Sequence, residues 1–507
     1  MLLAAALAAA AASAASPAGP GELLIAQFPL AARAVADPFG ARDAGFGEGG
    51  RLVLVSANGR ARVLTAGFQS AADPELSFDG WSLLFAAKRT AADPWCVFEM
   101  ELRGVHAPRQ ISCGAAGARQ PVYLPTVYTL TPTSVEPWVQ IAFVGEVRGE
   151  RDEAGLLPHT SLWSCKTDGS ALRRLSFNLS NDADPAVLPD GRIVYAASLR
   201  ARGTSESRTA LVGLNADGTD YQLYAGPEGL RVKRMPAATA SGLVVFVEAD
   251  VADGDGGGRL AAVSQRRPLH SHRVVSGPAL GVYHSPSALP DGRVLVSWRA
   301  SGGGGYGVYR VDPATGAREP AFDDPAWHDL QAKLVAARPL PDARSSVVRD
   351  DDPLGTLFSI DVHIQEPGFE LARGRAKRLR VVEGMAATAE RPVARRLLGE
   401  LELAEDGSYQ VRVPANMPVE LQLLDAGGAP LRSSGWLWVR NHAAQGCVGC
   451  HEDPERAPPN RLMQALRAPA PVLDPPLESR RALPGHDAPL ADAVGAFVRQ
   501  LPPSGRK

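Results

Sequence analysis

Residues 182–200 read DADPAVLPDGRIVYAASLR: a polar lead-in, a proline, an Asp-Gly pair and then an apolar strand. Asp190-Gly191 marks a tight hairpin turn, because that pair accepts the positive φ angles such a turn requires. The same plan recurs in DPELSFDGWSLLFAAKR from Asp73 and HSPSALPDGRVLVSWRA from His284, with turns at Asp79-Gly80 and Asp291-Gly292. Weaker copies sit at Gln120-Pro121 and Met235-Pro236, ahead of VQIAFVGEV and GLVVFVEAD, and a further one starts near Trp327. A second hairpin follows these units, as in SLWSCKTDGSALRRLSF from Ser161, ALVGLNADGTDYQLY from Ala210 and YGVYRVDPATGAREP from Tyr306.

The unit is four strands repeating roughly every 50 residues, the period of a β-propeller blade. Five clear units and a degenerate one predict an all-β chain with a six-bladed propeller over residues 22–365. Residues 145–159 lengthen one unit as a surface insertion. The strand RLVLVSANGRARVL, from Arg51, is expected to help close the ring on its last blade, since closure removes sheet edges.

Past about Arg373 the repeat stops. KRLRVVEG, LLGELELAEDGSYQVRVP, VELQLLDAGG and SGWLWVR alternate with period two, with a hairpin turn at Asp406-Gly407. These predict a small β-sandwich-like domain over residues 366–440. Residues 441–507 hold a short Cys/His motif, a Pro-rich stretch and one amphipathic helical segment, with Leu490, Val494, Phe497, Val498 and Leu501 on one face.

Composition agrees with this division. A chain of 507 residues exceeds one ordinary core. Gly (51) and Pro (42) are abundant while aromatics reach 6%, which suits turn-rich β-structure better than a helical bundle. The formal net charge of −2 gives no case for nucleic acid or an anionic membrane as partner. The start, MLLAAALAAAAASAAS, reads as a secretory signal over residues 1–16, with Ala12-Ser13-Ala14 as the small-x-small cleavage pattern. It lacks Lys or Arg ahead of the apolar run, so the α-amino group alone supplies its positive charge. No later segment has the length of a membrane helix, and no cysteine stands at the cleavage site for lipid attachment. The expected location is periplasmic or secreted.

Chemistry concentrates in Cys447-Val448-Gly449-Cys450-His451. Two thiols two residues apart reach both vinyl groups of a haem, and the next residue places an imidazole under the iron. A Cys-x-x-Cys alone also serves zinc sites and redox disulfides. Here there is no second Cys-x-x-Cys and no βαβ pattern, so one covalent haem c on Cys447 and Cys450, with His451 as proximal ligand, is the expectation. For the sixth iron position the candidates are His486, just before the terminal amphipathic segment, then Met463 and His442; an open site is the alternative.

Other polar features are weaker. Cys96 and Cys113 fit one hairpin, as a disulfide or as two buried thiols, and Cys165 has no evident partner. The Asp250–Asp255 run lacks the glutamate that closes a calcium loop, and Asp350-Asp351-Asp352 reads as a solvated loop. No Gly-x-Ser-x-Gly elbow occurs, which removes the serine-peptidase reading of a propeller chain.

From Asp73 to about Arg461 the chain resembles proteins with the middle domain of the hydrazine synthase alpha subunit. The resemblance rests on DPELSFDG, DPAVLPDGRIVYAAS, LGTLFSIDVHIQEPG, AKRLRVVEG and WLWVRNHAAQGCVGCHEDPERAPPNR. The haem-flanking segment is its most specific part; the blade motifs are shared with TolB-like propellers. It implies a propeller followed by a β-rich domain with a c-type haem. Hydrazine synthesis, as the family implies it, uses more than one haem in the alpha subunit and partner subunits, whereas this chain has one haem motif. Three functions compete: electron transfer by a mono-haem cytochrome whose propeller docks a redox partner protein, a haem enzyme with an open iron site, and a binding scaffold with a structural haem. Axial ligation separates the first two, because a six-coordinate low-spin haem does not readily bind substrate.

Overall fold

A computed structural model describes residues 21–31, 34–35, 45–46, 48–104, 106–112, 114, 117–130, 135–200, 207–226, 229–250, 256–276, 281–365, 371–449, 455 and 460–483. Six four-stranded antiparallel sheets form the propeller. Blades 2 to 6 are consecutive in sequence and begin with the inner strands Ser70–Leu76, Ala118–Tyr123, Asp182–Val187, Val232–Ala238 and Gly281–Ala288. Blade 1 is composite: its inner strand, Trp327–Leu334, comes from the far end of the propeller and its other three, Leu23–Pro29, Arg51–Val55 and Ala61–Val63, from the start.

Closure is therefore made by LLIAQFP, one strand earlier than the Arg51 segment that the sequence suggests. Leu23 pairs with Leu334 and Pro29 with Trp327, and Arg51–Val55 lies on the other side of that strand. LLIAQFP carries no Asp-Gly signal, and its almost uniform burial hides the alternation of a half-exposed strand.

The Asp-Gly turns form as their residue types dictate. Gly191 has φ +81°, its N–H donates to the Leu188 carbonyl at 2.9 Å, and the Asp190 carboxylate accepts from the Arg192 N–H at 3.1 Å. The Asp79-Gly80 and Asp291-Gly292 turns repeat this arrangement.

Each inner strand also carries one non-glycine residue in the left-handed region: Asp73, Gln120, Asp184, Met235, Ser285 and Gln331, with φ between +44° and +54°. Five precede a proline. Together they make a ring at the axis in which a side chain holds the main chain of the next member. Asp73 accepts from the Gln120 N–H (3.0 Å), Gln120 from Asp184 (2.7 Å), Asp184 from Met235 (3.2 Å), the Met235 thioether from Ser285 (3.3 Å), and Gln331 from Asp73 (2.8 Å). Left-handed non-glycine residues cost about 1–3 kcal/mol each; the hydrogen bonds to the Asp73 and Asp184 carboxylates return about the same, and those to neutral acceptors about 0.5–1.5 kcal/mol. Arg119 and Arg234 add buried ion pairs to Asp73 and Asp184, both at 2.9 Å.

The second unit is a sandwich. A five-stranded sheet runs in the order Pro430–Leu437, Val419–Leu424, Arg378–Met385, Ala394–Glu402, Ala482–Leu483. A three-stranded sheet of Tyr409–Pro414, Leu354–Ser359 and Ala444–Cys447 packs on it through Leu357, Val411 and Val413 against Leu379, Val381 and Leu421. Leu354–Ser359 thus pairs with sandwich strands, not with a blade.

The chain reaches the sandwich along the turn face of the propeller, where Arg338 N–H meets the Phe78 carbonyl and Asp342 N–H the Pro189 carbonyl. The sandwich is seated on blades 3 and 4. Trp438 lies edge-on to Tyr221 at 4.7 Å and donates to the Gly218 carbonyl at 3.3 Å. Arg440 donates to the carbonyls of Asp217 and Arg174, and burial brings its pKa down to about 10. The 145–159 insertion is an extension of a blade 3 hairpin whose Arg151 bridges to Ala387 of the sandwich.

Beside this interface Asp182 is fully buried, accepting from Ser176 Oγ (2.6 Å) and Asn178 Nδ2 (3.2 Å). Burial pushes its pKa up to about 7, against the opposing pull of those two donors and Arg174. The folded state therefore holds this proton more tightly than an unfolded carboxyl, which titrates near 4. The associated stability is complete below that value and is lost as pH rises through about 7. Urea midpoints should fall between pH 5 and pH 8, and Asp182→Asn should reduce that slope; an unchanged slope would refute the assignment.

Candidate haem site and axial pocket

Cys447 ends the strand Ala444–Cys447, which runs parallel to Leu354–Ser359 with Ser359 opposite Cys447. The pairing continues past the strand end: Ile360 N–H donates to the Cys447 carbonyl and Asp361 N–H to the Val448 carbonyl, both at 3.1 Å. The first thiol of the motif is thus half-buried on a backbone held in fixed register. The residue before the motif and its spacer are tightly seated too. A Cβ on Gly446 would collide with the Phe358 ring, and one on Gly449 with the Ile364 carbonyl oxygen. The segment suits covalent attachment, with its first thiol placed by the sheet and Gly449 passing flush against the domain. Cys450, His451 and His486 lie outside the described residues, as does the terminal amphipathic segment.

Under this backbone sits Asp361, fully buried. Its carboxylate accepts from the His363 N–H (3.0 Å), His363 Nδ1 (2.9 Å), Arg373 (2.7 Å) and Arg461 (2.5 Å). Burial works to raise its pKa, but these donors outweigh it and hold the carboxyl below the usual range. His363 Nε2 faces the Gly374 N–H at 3.3 Å, so it accepts there and the ring carries its proton on Nδ1. Asp406, in the turn opposite, accepts from the Gln464 N–H at 3.0 Å and so docks the chain that returns from the motif.

The proposed distal ligands separate. Met463 is buried at the start of the short helix Gln464–Arg467, against the sandwich. His442 is turned to the acidic run: its Nδ1 lies 2.9 Å from Asp352, which also pairs with Arg412 at 2.7 Å. The His442 hydrogen bond is the largest influence lowering the Asp352 pKa. Asp350 and Asp351 are exposed, but Asp352 is a structural anchor, which corrects the reading of this run as a solvated loop. Cys96 is disulfide-bonded. Cys113, the partner that the sequence suggests, lies outside the described residues. Cys165 is buried, and burial pushes its thiol up to about 12.

A second concavity opens at the propeller axis, with about 570 Å³ of empty space including its mouth. Its floor is the ring described above and its wall includes Glu75 and Lys333, an ion pair at 3.0 Å. Sequence reading did not find it. The ring positions share a backbone conformation and not a residue type.

A family profile described as the hydrazine synthase alpha subunit middle domain matches residues 366–452. The hydrazine synthase subunit alpha of Kuenenia stuttgartiensis is 24% identical over 85% of this chain and 66% of its own length. The chain thus spans about two thirds of that relative. The solved structure of Kuenenia stuttgartiensis hydrazine synthase superposes with a TM-score of 0.77 at 23% identity, over 89% of this chain and 72% of that one. TolB from Acinetobacter baumannii gives a TM-score of 0.42 at 10% identity over 62% of this chain and 66% of that one. The chain resembles the hydrazine synthase alpha subunit in sequence, and the fold is shared with the solved enzyme. Among the described residues no helix is long and apolar enough to cross a membrane.

Gly449→Ala should force the motif off Ile364, at a cost of about 1–3 kcal/mol for an overpacked site. A thermal melt no lower than wild type would show that the close approach is relaxed.

Proposed function

We propose that this chain is an exported haem c protein of the hydrazine synthase alpha type, with one haem joined to Cys447 and Cys450 and His451 as its iron ligand. The observation that carries the reading is the family match, which runs from the sandwich through the complete motif and ends one residue after His451. Of the functions that the sequence leaves in competition, similarity to an enzyme subunit favours the haem enzyme with an open iron position over the electron carrier. The haem would supply redox chemistry and an iron coordination site for a small ligand. The chain's own residues supply placement. The sheet register fixes Cys447, Gly449 keeps the spacer against Ile364, and Asp361 with its cations keeps a buried charge balance under the motif. Neither His442 nor Met463 is offered as the distal ligand in this reading: the first is held by Asp352 and the second is buried. The partner is a redox protein, and the compartment is the periplasm or the cell exterior.

Expression in a periplasm equipped with cytochrome maturation proteins should give an intact mass of one haem per chain. Replacing Cys447 and Cys450 together by Ala should abolish that addition, and Cys165→Ala should leave it. A chain whose haem is extracted by acid-acetone overturns covalent attachment.

For the open iron position, the reduced wild-type protein should bind carbon monoxide, with a shift of its Soret band. His486→Ala should leave the ferric spectrum unchanged. A six-coordinate low-spin spectrum that becomes high-spin in that variant would restore the electron-carrier reading.

A further inference from the structure

A smaller cavity lies where the propeller meets the sandwich, with about 340 Å³ of empty space including its mouth. Blade 3, the Ala216-Asp217 turn of blade 4 and the parallel strands Val127–Leu130 and Arg344–Ser346 bound it, and the sandwich contributes Arg440. Arg440 is 6% exposed. Its guanidinium donates from Nε to the Asp217 carbonyl and from Nη1 to the Arg174 carbonyl and Asn416 Oδ1, all neutral acceptors. Among the described residues no carboxylate pairs with it and no acceptor meets its Nη2. The other arginines buried to this degree, Arg119, Arg234 and Arg395, each pair with a carboxylate: Asp73, Asp184 and Glu420.

The rest of the lining has the same bias. Arg173 adds a second guanidinium, and its partner, Asp350, is 70% exposed, where water screens it. Asp217 is the one carboxylate of the lining, and it is engaged in its own turn, accepting from the Thr219 N–H at 3.0 Å and hydroxyl at 2.6 Å. Ser346 Oγ accepts from the Val348 N–H at 3.1 Å, which leaves its proton to donate, and among the described residues the buried Ser164 hydroxyl has no partner.

We propose that this cavity binds a small inorganic oxyanion, of the class of phosphate, sulfate or nitrate, with charge from Arg440 and Arg173 and hydroxyl donors from Ser164 and Ser346. A buried cation without a counter-charge is costly, and an oxyanion supplies both that charge and several acceptors. Burial already pulls the Arg440 pKa down; Asp217 opposes the shift and Arg173 adds to it. The lining is buried between two domains, which suits a free ion and not the surface of a macromolecule. The ion ties propeller to sandwich four residues before Ala444, where the strand carrying Cys447 begins. Nothing in this inference depends on the haem.

The test titrates the full-length protein by calorimetry with inorganic phosphate, sulfate and nitrate, in chloride buffer at constant ionic strength. The wild type should bind one ion per chain saturably, and its melting temperature should rise with the ion. Arg173→Gln and Arg440→Lys, which keeps the charge but not the fork, should each weaken binding about tenfold. Asp217→Asn should tighten it, because a repelling charge is removed while the acceptor for Thr219 remains. Arg293→Gln, which removes a cation paired with Asp291 and Glu319 on blade 6, should match wild type. If Arg440→Lys does not fold, Arg173→Gln and Asp217→Asn decide the question by their opposite signs. The proposal is overturned if none of the three oxyanions binds saturably, which would leave a cavity holding water alone. It is equally overturned if the affinity is the same in Arg173→Gln, Asp217→Asn and wild type.

Discussion

Six inner strands meet at one axis, and five side chains of the ring each grip the backbone of a neighbour. The relay works because the ring residues accept a left-handed conformation, in which five of them turn their N–H to a side chain of the adjacent blade. Asp73 is its most heavily used member. It accepts from Arg119, the Gln120 N–H and Gln331, and so joins blades 1, 2 and 3 at a single carboxylate. The spacing of every blade follows from that ring. So does the seat on blades 3 and 4, where Trp438 and Arg440 lock the sandwich and thereby set the register in which Cys447 arrives.

Much of this was legible in the sequence because it is local. An Asp-Gly turn needs only its own residues, and its recurrence revealed the period, the blade count and the all-β class. The Cys447–His451 spacing is local in the same sense, since the attachment proposed for it needs only five positions. What could not be read is assembled from distant residues. The ring uses Asp, Gln, Met and Ser at equivalent positions, so its only sequence trace is the proline that follows five of the six, which marks the repeat but not the contacts. Asp361 and Arg461 lie in segments 100 residues apart, and only the fold brings their side chains together.

Similarity to an enzyme subunit backs the haem-enzyme alternative better than the electron carrier, and the sequence alone could not separate the two for a related reason. A haem motif announces attachment but is silent on the sixth coordination position, which depends on side chains brought in from elsewhere. Two of the sequence candidates illustrate this. His442 lies near the motif in sequence, yet its ring is turned to Asp352 in a hydrogen bond; Met463 lies near it on the other side, yet it is buried. Proximity along the chain is a poor guide where the backbone turns sharply, as at His442 itself, whose φ is +61°.

Closure of the propeller by Leu23–Pro29 has a consequence for how the protein comes into being. This apolar strand leaves the ribosome well before its partner, Trp327–Leu334, which is about 300 residues behind it. At about 5–20 residues per second, synthesis separates the two by some tens of seconds. During that interval Leu23, Leu24 and Ile25 have no final neighbour on one edge, and an unpaired strand edge invites association with other chains. Blades 2 to 6, each complete from contiguous sequence, can form while the strand waits; blade 1 is necessarily the last to be finished.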